Sequence, residues 1–299
     1  MAGLSFVTPL AYDWRYALDA IRSYYCIADE IILGLDRSLI SWSGNRFKVD
    51  MAELGRGLRR IDMDRKIRLL RGDFHSHGAP MRNDTWERNW LSRKCRPGNW
   101  VVQIDSDEVL VNPREFREWL VRRTGGQTVN GRWELVFKVI GGTALVVDYR
   151  KSYIQVATMR RGGYVSARET TERRVVSPLV LLHYSLGRTA ADLKQKLYNW
   201  SHSPDFDLPA YLKLWKSVTL RNYGRFRNFH FLYGPHYPRL RAVSLAGLRR
   251  AERGGVSELR RVLGYRLPGR FTWRLWDLRF ALSFLKRKLL KALGLRRTG

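Results

Sequence analysis

The chain is poor in cysteine, in acidic residues and in long apolar runs. Only Cys26 and Cys95 occur in 299 residues. Two thiols build neither a zinc site by themselves nor a disulfide scaffold, and their scarcity fits a reducing compartment. The longest uncharged apolar stretches, near 139–147 and 177–186, are too short to cross a bilayer. The first residues carry no basic stretch followed by an apolar run of the signal-peptide kind, so a cytoplasmic location is expected rather than secretion or integral membrane topology. No internal repeat and no low-complexity tract is present, which excludes repeat architectures. Acids are outnumbered: 27 Asp and Glu face 55 Lys and Arg, a net charge of +28. Such a field favours anionic partners. From residue 239 onward there are 17 Lys and Arg against three acids, so much of the excess belongs to the C-terminal part. A basic groove along the whole chain, as a nucleic-acid channel needs, is not indicated.

What is present is enough for a core: 44% of residues are hydrophobic and 12% aromatic, which excludes a mainly disordered chain. Apolar runs at 5–8, 30–35, 66–70 and 100–105 read as buried strands. Between them lie helical patterns starting at Asp13, at about 51–61, and at Asn83 or Asp84, where Glu87 sits in capping-box position. This alternation predicts an α/β fold: a Rossmann-type, mostly parallel sheet with helices on both faces. A helix at 113–122, strands at 132–140, 144–148, 153–158 and 179–184, and a helix at 190–200 follow. The catalytic unit is expected to span 1–203, and 204–299 to be a basic, mainly helical region.

The segment Trp100-Val-Val-Gln-Ile-Asp105-Ser-Asp107-Glu108 carries the most chemistry. An apolar strand delivers two carboxylates, two residues apart, at its C-terminal end, where open α/β sheets bind ligands. Alternate residues of an extended chain point the same way, so Asp105 and Asp107 can converge on a hard cation. Two other Asp-x-Asp pairs, Asp62/Asp64 and Asp205/Asp207, sit in polar loops, so the motif gains its meaning from the strand. Asp36 ends the second strand, either to hold a ribose hydroxyl or a base N–H or as a turn residue. Arg82 precedes a helix start, where backbone N–H groups and a guanidinium can hold a diphosphate. His183 ends the last apolar strand as a further metal ligand or a core residue. Glu169 and Glu172 lie in the loop before it, where a carboxylate can serve as general base or be solvated. His75 and His77 form an alternative metal pair.

Taken together these residues resemble a family 2 type glycosyltransferase. The matching pieces are Phe6-Val7-Thr8, the run from Ala28 to Asp36, Arg82-Asn83 with Glu87-Arg88-Asn89, and Val102 to Glu108. Arg168-Glu169 stands where many members carry His-Glu, followed by the strand ending in His183. Tyr184-Ser185 and Lys194, Lys196, Trp200 and His202 also fit. The resemblance covers about 4–200. It departs after the first strand, where Pro9-Leu10-Ala11-Tyr12-Asp13 replaces Asn-Glu, and at the end of the second.

The resemblance implies a GT-A-like fold and sugar transfer from a nucleotide-sugar donor to a glycan or lipid-linked acceptor hydroxyl. It implies a divalent cation, Mn²⁺ or Mg²⁺, on Asp105, Asp107 and His183. It also implies donor contacts at Thr8, Asp36, Arg82 and Asp105, with Glu169 as base and inversion at the anomeric carbon. A sugar nucleotidyltransferase would need a Gly-rich loop after the first strand, and none is there. A non-enzymatic nucleic-acid binder would interleave basic and aromatic residues on strands, whereas the basic excess lies in the C-terminal part. In 276–293, leucines at 278, 282, 285, 289 and 293 form one helical stripe opposite basic residues, the profile either of an interfacial helix on an anionic membrane or of a helix packed on the catalytic domain with a solvated basic face.

Overall fold

A computed structural model describes residues 2–149, 152–205, 207–230 and 237–264. In chain order the strands are β1 (Leu4–Leu10), β2 (Glu30–Asp36), β3 (Ile67–Gly72), β4 (Trp100–Gln103), β5 (Glu108–Leu110), β6 (Gln127–Ile140), β7 (Thr143–Val147), β8 (Tyr153–Thr158), β9 (Arg173–His183) and β10 (Leu240–Ser244). The helices are α1 (Trp14–Tyr24), α2 (Met51–Ile61), α3 (Pro80–Arg93), α4 (Pro113–Leu120), α5 (Ala190–Asn199), α6 (Leu208–Ser217) and α7 (Leu245–Leu263). Among these residues no helix is long and apolar enough to cross a membrane.

The sheet is mixed, which corrects the expectation of a mostly parallel one. It runs β10-β7-β6-β8-β4-β1-β2-β3. Strands β4, β1, β2 and β3 are parallel to one another. Beyond them β8 pairs antiparallel with β4 and β6, β7 with β6, and β10 with β7. Strand β9 runs parallel to β6 and carries β5 antiparallel on its other side. Parallel strands need long crossovers, and the chain supplies helices there. Among the later strands β6 and β7 form a hairpin through Gly141-Gly142, while the antiparallel partners β4 and β8, β5 and β9, and β7 and β10 are distant in the chain.

Alternation along β1 shows why helices cover both faces. Phe6 stacks on Tyr24 of α1, ring centroids 4.4 Å apart, within a core that also takes Leu54 of α2 and Phe116 of α4. Its neighbour Val7 points the other way and packs with Ile32, Val101 and Leu91 of α3. Helix α1 buries Trp14, Ala17, Ala20, Ile21 and Tyr24 at helical spacing. The expected cap at Asp13 makes no side-chain capping bond; its carboxylate reaches Arg188 instead.

Helix α3 starts at Pro80, three residues before the expected Asn83 or Asp84. Those two residues are buried on its inner face together with Glu87, Arg88 and Leu91, so Asp84 and Glu87 do not form a capping box. Strand β9 begins at Arg173, well before the expected 179. Past residue 204 the described part is not purely helical. Strand β10 closes the sheet edge on β7, while Tyr211 and Trp215 of α6 share a core with Phe137 and Leu145. Residues 276–293 lie outside the described residues.

Gly34 of β2 lets α3 lie close. A Cβ there would stand 2.6 Å from Glu87 Oε1 and from Leu91 Cδ1. Gly34→Ala is therefore expected to destabilise the fold by about 1–3 kcal/mol, the range for overpacking a full site, read as a lowered urea midpoint with an unchanged slope.

Candidate functional site

A cavity of about 300 Å³ opens at the C-terminal ends of the parallel strands. Its walls come from Pro9 and Leu10 of β1, Asp36 of β2, the Asp105–Asp107 turn after β4, and Asp84, Glu87 and Arg88 of α3. Ser166 to Glu169, His183, Lys196 and the 199–202 segment complete it.

The turn between β4 and β5 is built by Glu108. Its carboxylate accepts the Asp105 N–H at 2.9 Å and takes a forked pair from the buried Arg168, with Nη1 at 2.9 Å. Arg168, which stands where the resemblance has histidine, thus neutralises the third acid of the cluster. Asp105 lies 2.8 Å from Arg88 Nη1 and 3.7 Å from Arg168 Nη2. Its side chain is 30% exposed, the more open carboxylate of the pair, since Asp107 is almost fully buried. Burial opposes its charge, but the Arg88 and Arg168 guanidiniums outweigh that and hold the carboxyl below its ordinary range.

Asp107 is different. It is almost fully buried, and both of its oxygens are engaged by protein groups. Lys196 Nζ donates to Oδ2 at 2.6 Å, Arg188 Nη2 donates to the same oxygen, and His183 Nε2 lies 3.3 Å from Oδ1. Arg188 is fixed in turn by Asp13 at 2.9 Å and the Ser185 carbonyl at 3.0 Å, over the Tyr16 ring. Burial again opposes the charge on Asp107, while Lys196, His183 and Arg188 outweigh it and hold its carboxyl well below the ordinary range. The register that sets Glu108 opposite His183 delivers the imidazole here, stacked on Trp133 at 4.2 Å. A second cavity, of about 330 Å³, shares Asp107 with the first.

The expected metal set therefore does not converge. Asp105 presents a hard oxygen to the cavity. Asp107 and His183 face each other and the Arg188–Lys196 cations. Asp36, Asp73 and His75 do bring three ligand atoms within 4.8 Å of one another. However, Asp36 already accepts from the N–H groups of Ser38, Ile40 and Phe74 and contacts His75 Nδ1 at 2.9 Å. Asp73 accepts from the His75 and Ser76 N–H groups. These bonds shape the loops beside the cavity, as the turn reading of Asp36 expects, while Asp36 also lines the cavity. The His75–His77 pair does not form, since His77 Nε2 bonds the Asp73 carbonyl.

Two other expectations are corrected. Thr8 does not reach the cavity: it is fully buried and its hydroxyl pairs with the Tyr24 phenol at 2.9 Å. Arg82 is exposed and does not line the cavity; the arginine of α3 that does is Arg88, 2.5 Å from Asp84. Glu169 stands at the rim, its side chain 59% exposed and 3.6 Å from Arg174. Glu172 is turned away and accepts from Thr158 Oγ1 at 2.5 Å and Thr128 Oγ1 at 3.3 Å.

Local sequence pattern gives Arg88, Arg188 and Glu87 no role in the site. Glu87 accepts the Trp42 Nε1–H at 2.7 Å on Oε2, while Oε1 is buried and unpaired. Burial, with Asp84 and Asp36 adding to it, pushes its carboxyl from the ordinary 4.5 up to about 8. Other buried atoms of the lining also have no hydrogen-bond partner among the described residues: Trp133 Nε1, His183 Nδ1 and Asn199 Oδ1.

Comparison with protein-family models and with curated proteins finds no match for the chain.

Asp107→Asn leaves Lys196 buried without a counter-charge and Arg188 with Asp13 alone. A loss of about 3–5 kcal/mol is expected in chemical denaturation, against a much smaller loss for Asp105→Asn at the cavity surface. Glu87 supplies a pH signature. Its folded pKa lies above the unfolded one, so its contribution is full below about pH 4.5 and is lost as pH rises through about 8. Denaturation midpoints of wild type should therefore fall relative to Glu87→Gln between those limits and run parallel above them.

Proposed function

We propose that the chain is a glycosyltransferase of family 2 type, with a GT-A-like arrangement of its parallel strands. It moves a sugar from a nucleoside-diphosphate sugar to the hydroxyl of a glycan or lipid-linked acceptor. The observation that carries this reading is the cavity itself. Asp105, Arg88 and Lys196 gather where a parallel sheet places its ligands, at the carboxyl ends of the strands.

The residues divide the work. Arg88 and Lys196 line the cavity and offer positive charge to a diphosphate leaving group. Carboxylates outnumber cations along that lining, so a bound diphosphate calls for a counter-ion. A divalent cation, Mn²⁺ or Mg²⁺, would be held by Asp105, with its other ligands from phosphate and water, and would supply charge neutralisation at the leaving group. Asp107 and His183 act from behind. They hold Lys196 and Arg188 in place and are not assigned as ligands. Glu169 at the rim is the exposed carboxylate that can take the proton of an attacking acceptor hydroxyl, with inversion. Glu172, tied to two threonines, is not. A nucleotidyltransferase remains disfavoured by the glycine-free turn Pro9-Leu10-Ala11-Tyr12. A nucleic-acid binder would present basic and aromatic residues on an open surface rather than around a recessed acidic turn. Peripheral contact with an anionic membrane stays part of the proposal through the basic C-terminal residues.

The test is a screen of nucleotide sugars in the presence of Mn²⁺, scored by release of nucleoside diphosphate and repeated with EDTA. One donor should turn over slowly even without acceptor. Glu169→Gln should lower kcat at least about 10²-fold with KM for the donor little changed. Unaltered turnover in Glu169→Gln removes the base assignment. Absence of both turnover and binding across the donor set removes the reading as a whole.

A further inference from the structure

Residues 208–251 contain no acidic residue, against nine Lys and Arg and eight aromatic residues. The fold turns this composition into a surface. Helix α6 buries Tyr211 and Trp215, and Val218 follows them inward. All three belong to the apolar cluster of Phe137, Leu145 and Leu197. Lys213 and Lys216 lie on the opposite side of the helix by its spacing, and both are exposed. The chain then closes into a tight turn. Asn222 accepts the Thr219 N–H at 2.7 Å and donates to the Ser217 carbonyl at 2.8 Å. Lys138 Nζ ties the Trp215 and Val218 carbonyls from inside, each at 2.7 Å. Beyond the 3₁₀ turn Tyr223–Arg225, Phe229 packs edge-on against Phe137, ring centroids 5.3 Å apart. With the segment anchored in this way, Leu220, Arg221, Arg225 and Arg227 are left on the outside.

The charges on this face are uncompensated. Among the described residues no ion pair joins Lys213, Lys216, Arg221, Arg225 or Arg227 to a carboxylate; Arg227 Nη1 donates to the Gly224 and Phe226 carbonyls. Exposed arginines elsewhere are paired, as Arg15 is with Glu53, Arg22 with Asp19 and Arg261 with Glu258. Five like charges gathered on one face repel one another and are relieved by a surface of opposite sign. Apolar groups stand among them: Leu220 is 44% exposed, and Tyr223 and Phe226 are half-buried. Cations interleaved with aliphatic and aromatic side chains match the headgroup level of a bilayer, where charge meets phosphate and the apolar groups leave water. A nucleic-acid backbone would answer the charges and leave Leu220 in water.

We propose that the outer side of α6 and the 219–227 turn dock on an anionic phospholipid bilayer. This face precedes residue 239 and is distinct from the basic C-terminal residues. Trp200, which lines the cavity, packs on the same apolar cluster. Docking therefore turns the 199–202 side of the cavity toward the membrane. The docking does not rest on the transferase reading; its use for a lipid-linked acceptor does.

The test is co-sedimentation of the full chain with vesicles of phosphatidylcholine alone or with about a third phosphatidylglycerol, at low and high salt. Wild type should pellet with the anionic vesicles and be released by salt, which screens exposed charges. The triple variant Lys216→Gln, Arg221→Gln, Arg225→Gln should bind them about a hundredfold more weakly, at about fivefold for each basic residue near the surface. A second triple, Arg56→Gln, Arg59→Gln, Arg60→Gln on α2, removes the same charge from exposed positions elsewhere. It should bind within about twofold of wild type. Four outcomes overturn the inference: wild type that stays in the supernatant with anionic vesicles, a first triple that pellets as wild type does, equal losses in the two triples, and a wild type that binds a DNA duplex through this face but not the vesicles. Release of nucleoside diphosphate without vesicles should be the same in the first triple and wild type, so docking and the transferase reading fail separately.

Discussion

A single buried negative charge organises this molecule. Asp107 leaves the turn after β4 and is met by His183 from the end of β9, by Arg188 from the segment that follows, and by Lys196 from α5. Through Arg188 it is joined to Asp13 at the start of α1. Segments distant in the chain therefore have to arrive together for any of these charges to be tolerated. Isolated, each would cost several kcal/mol on leaving water; assembled, they hold one another. The same requirement acts together with the apolar core that β6, β8 and β9 share with β1, β2 and β4 in setting how these strands and α5 sit against the parallel strands.

A second constraint works beside the first. Helix α3 does not present an apolar stripe toward the sheet end. It presents Asn83, Asp84, Glu87 and Arg88, all buried. Such a face is stable only where each group finds a partner. Asn83 ties the Trp42 and His75 carbonyls at 2.8 and 3.0 Å, Asp84 takes Arg88 and Ser201, and Glu87 takes Trp42. The polar stripe passes into apolar contact at Leu91, which packs on Val7 and Ile32. The helix is thus anchored by packing at one end and by hydrogen bonds at the cavity. Gly34 permits the close approach that both require.

These two constraints explain what the sequence discloses and what it conceals. Strands β1, β2 and β4 are visible because continuous apolar runs stop abruptly at Asp36 and Asp105. The position of the acidic turn at a strand end follows from local pattern alone. The inner face of α3 is hidden because periodicity methods look for hydrophobic residues at helical spacing, and here the buried residues are charged or amide. Strand β9 is missed at its start because Arg173 and Arg174 look like loop, although Val175 and Val176 are already core. Strand β10 is a short, half-buried edge that earns its conformation from β7. Arg188 carries no local signature at all: its partners Asp13 and Asp107 lie 175 and 81 residues away. The role of Asp107 is misjudged for the same reason, since a carboxylate two residues past a strand looks like a surface ligand until its cations are known.

The division between Asp105 and Asp107 has a consequence for how the cavity meets a charged ligand. Two adjacent carboxylates with equal access would repel each other and any phosphate. Here one is neutralised permanently from behind by Lys196 and Arg188, and the other faces the cavity with Arg88 at its side. The permanent pairing makes Lys196 rigid, because a lysine held by a buried carboxylate loses the rotamer freedom that an exposed one keeps. Charge fixed in this manner needs no rearrangement when negative charge develops nearby, and that is the condition under which electrostatic stabilisation of a leaving group is most effective. In the proposed transfer, Asp107 acts from behind by determining where the positive charge stands.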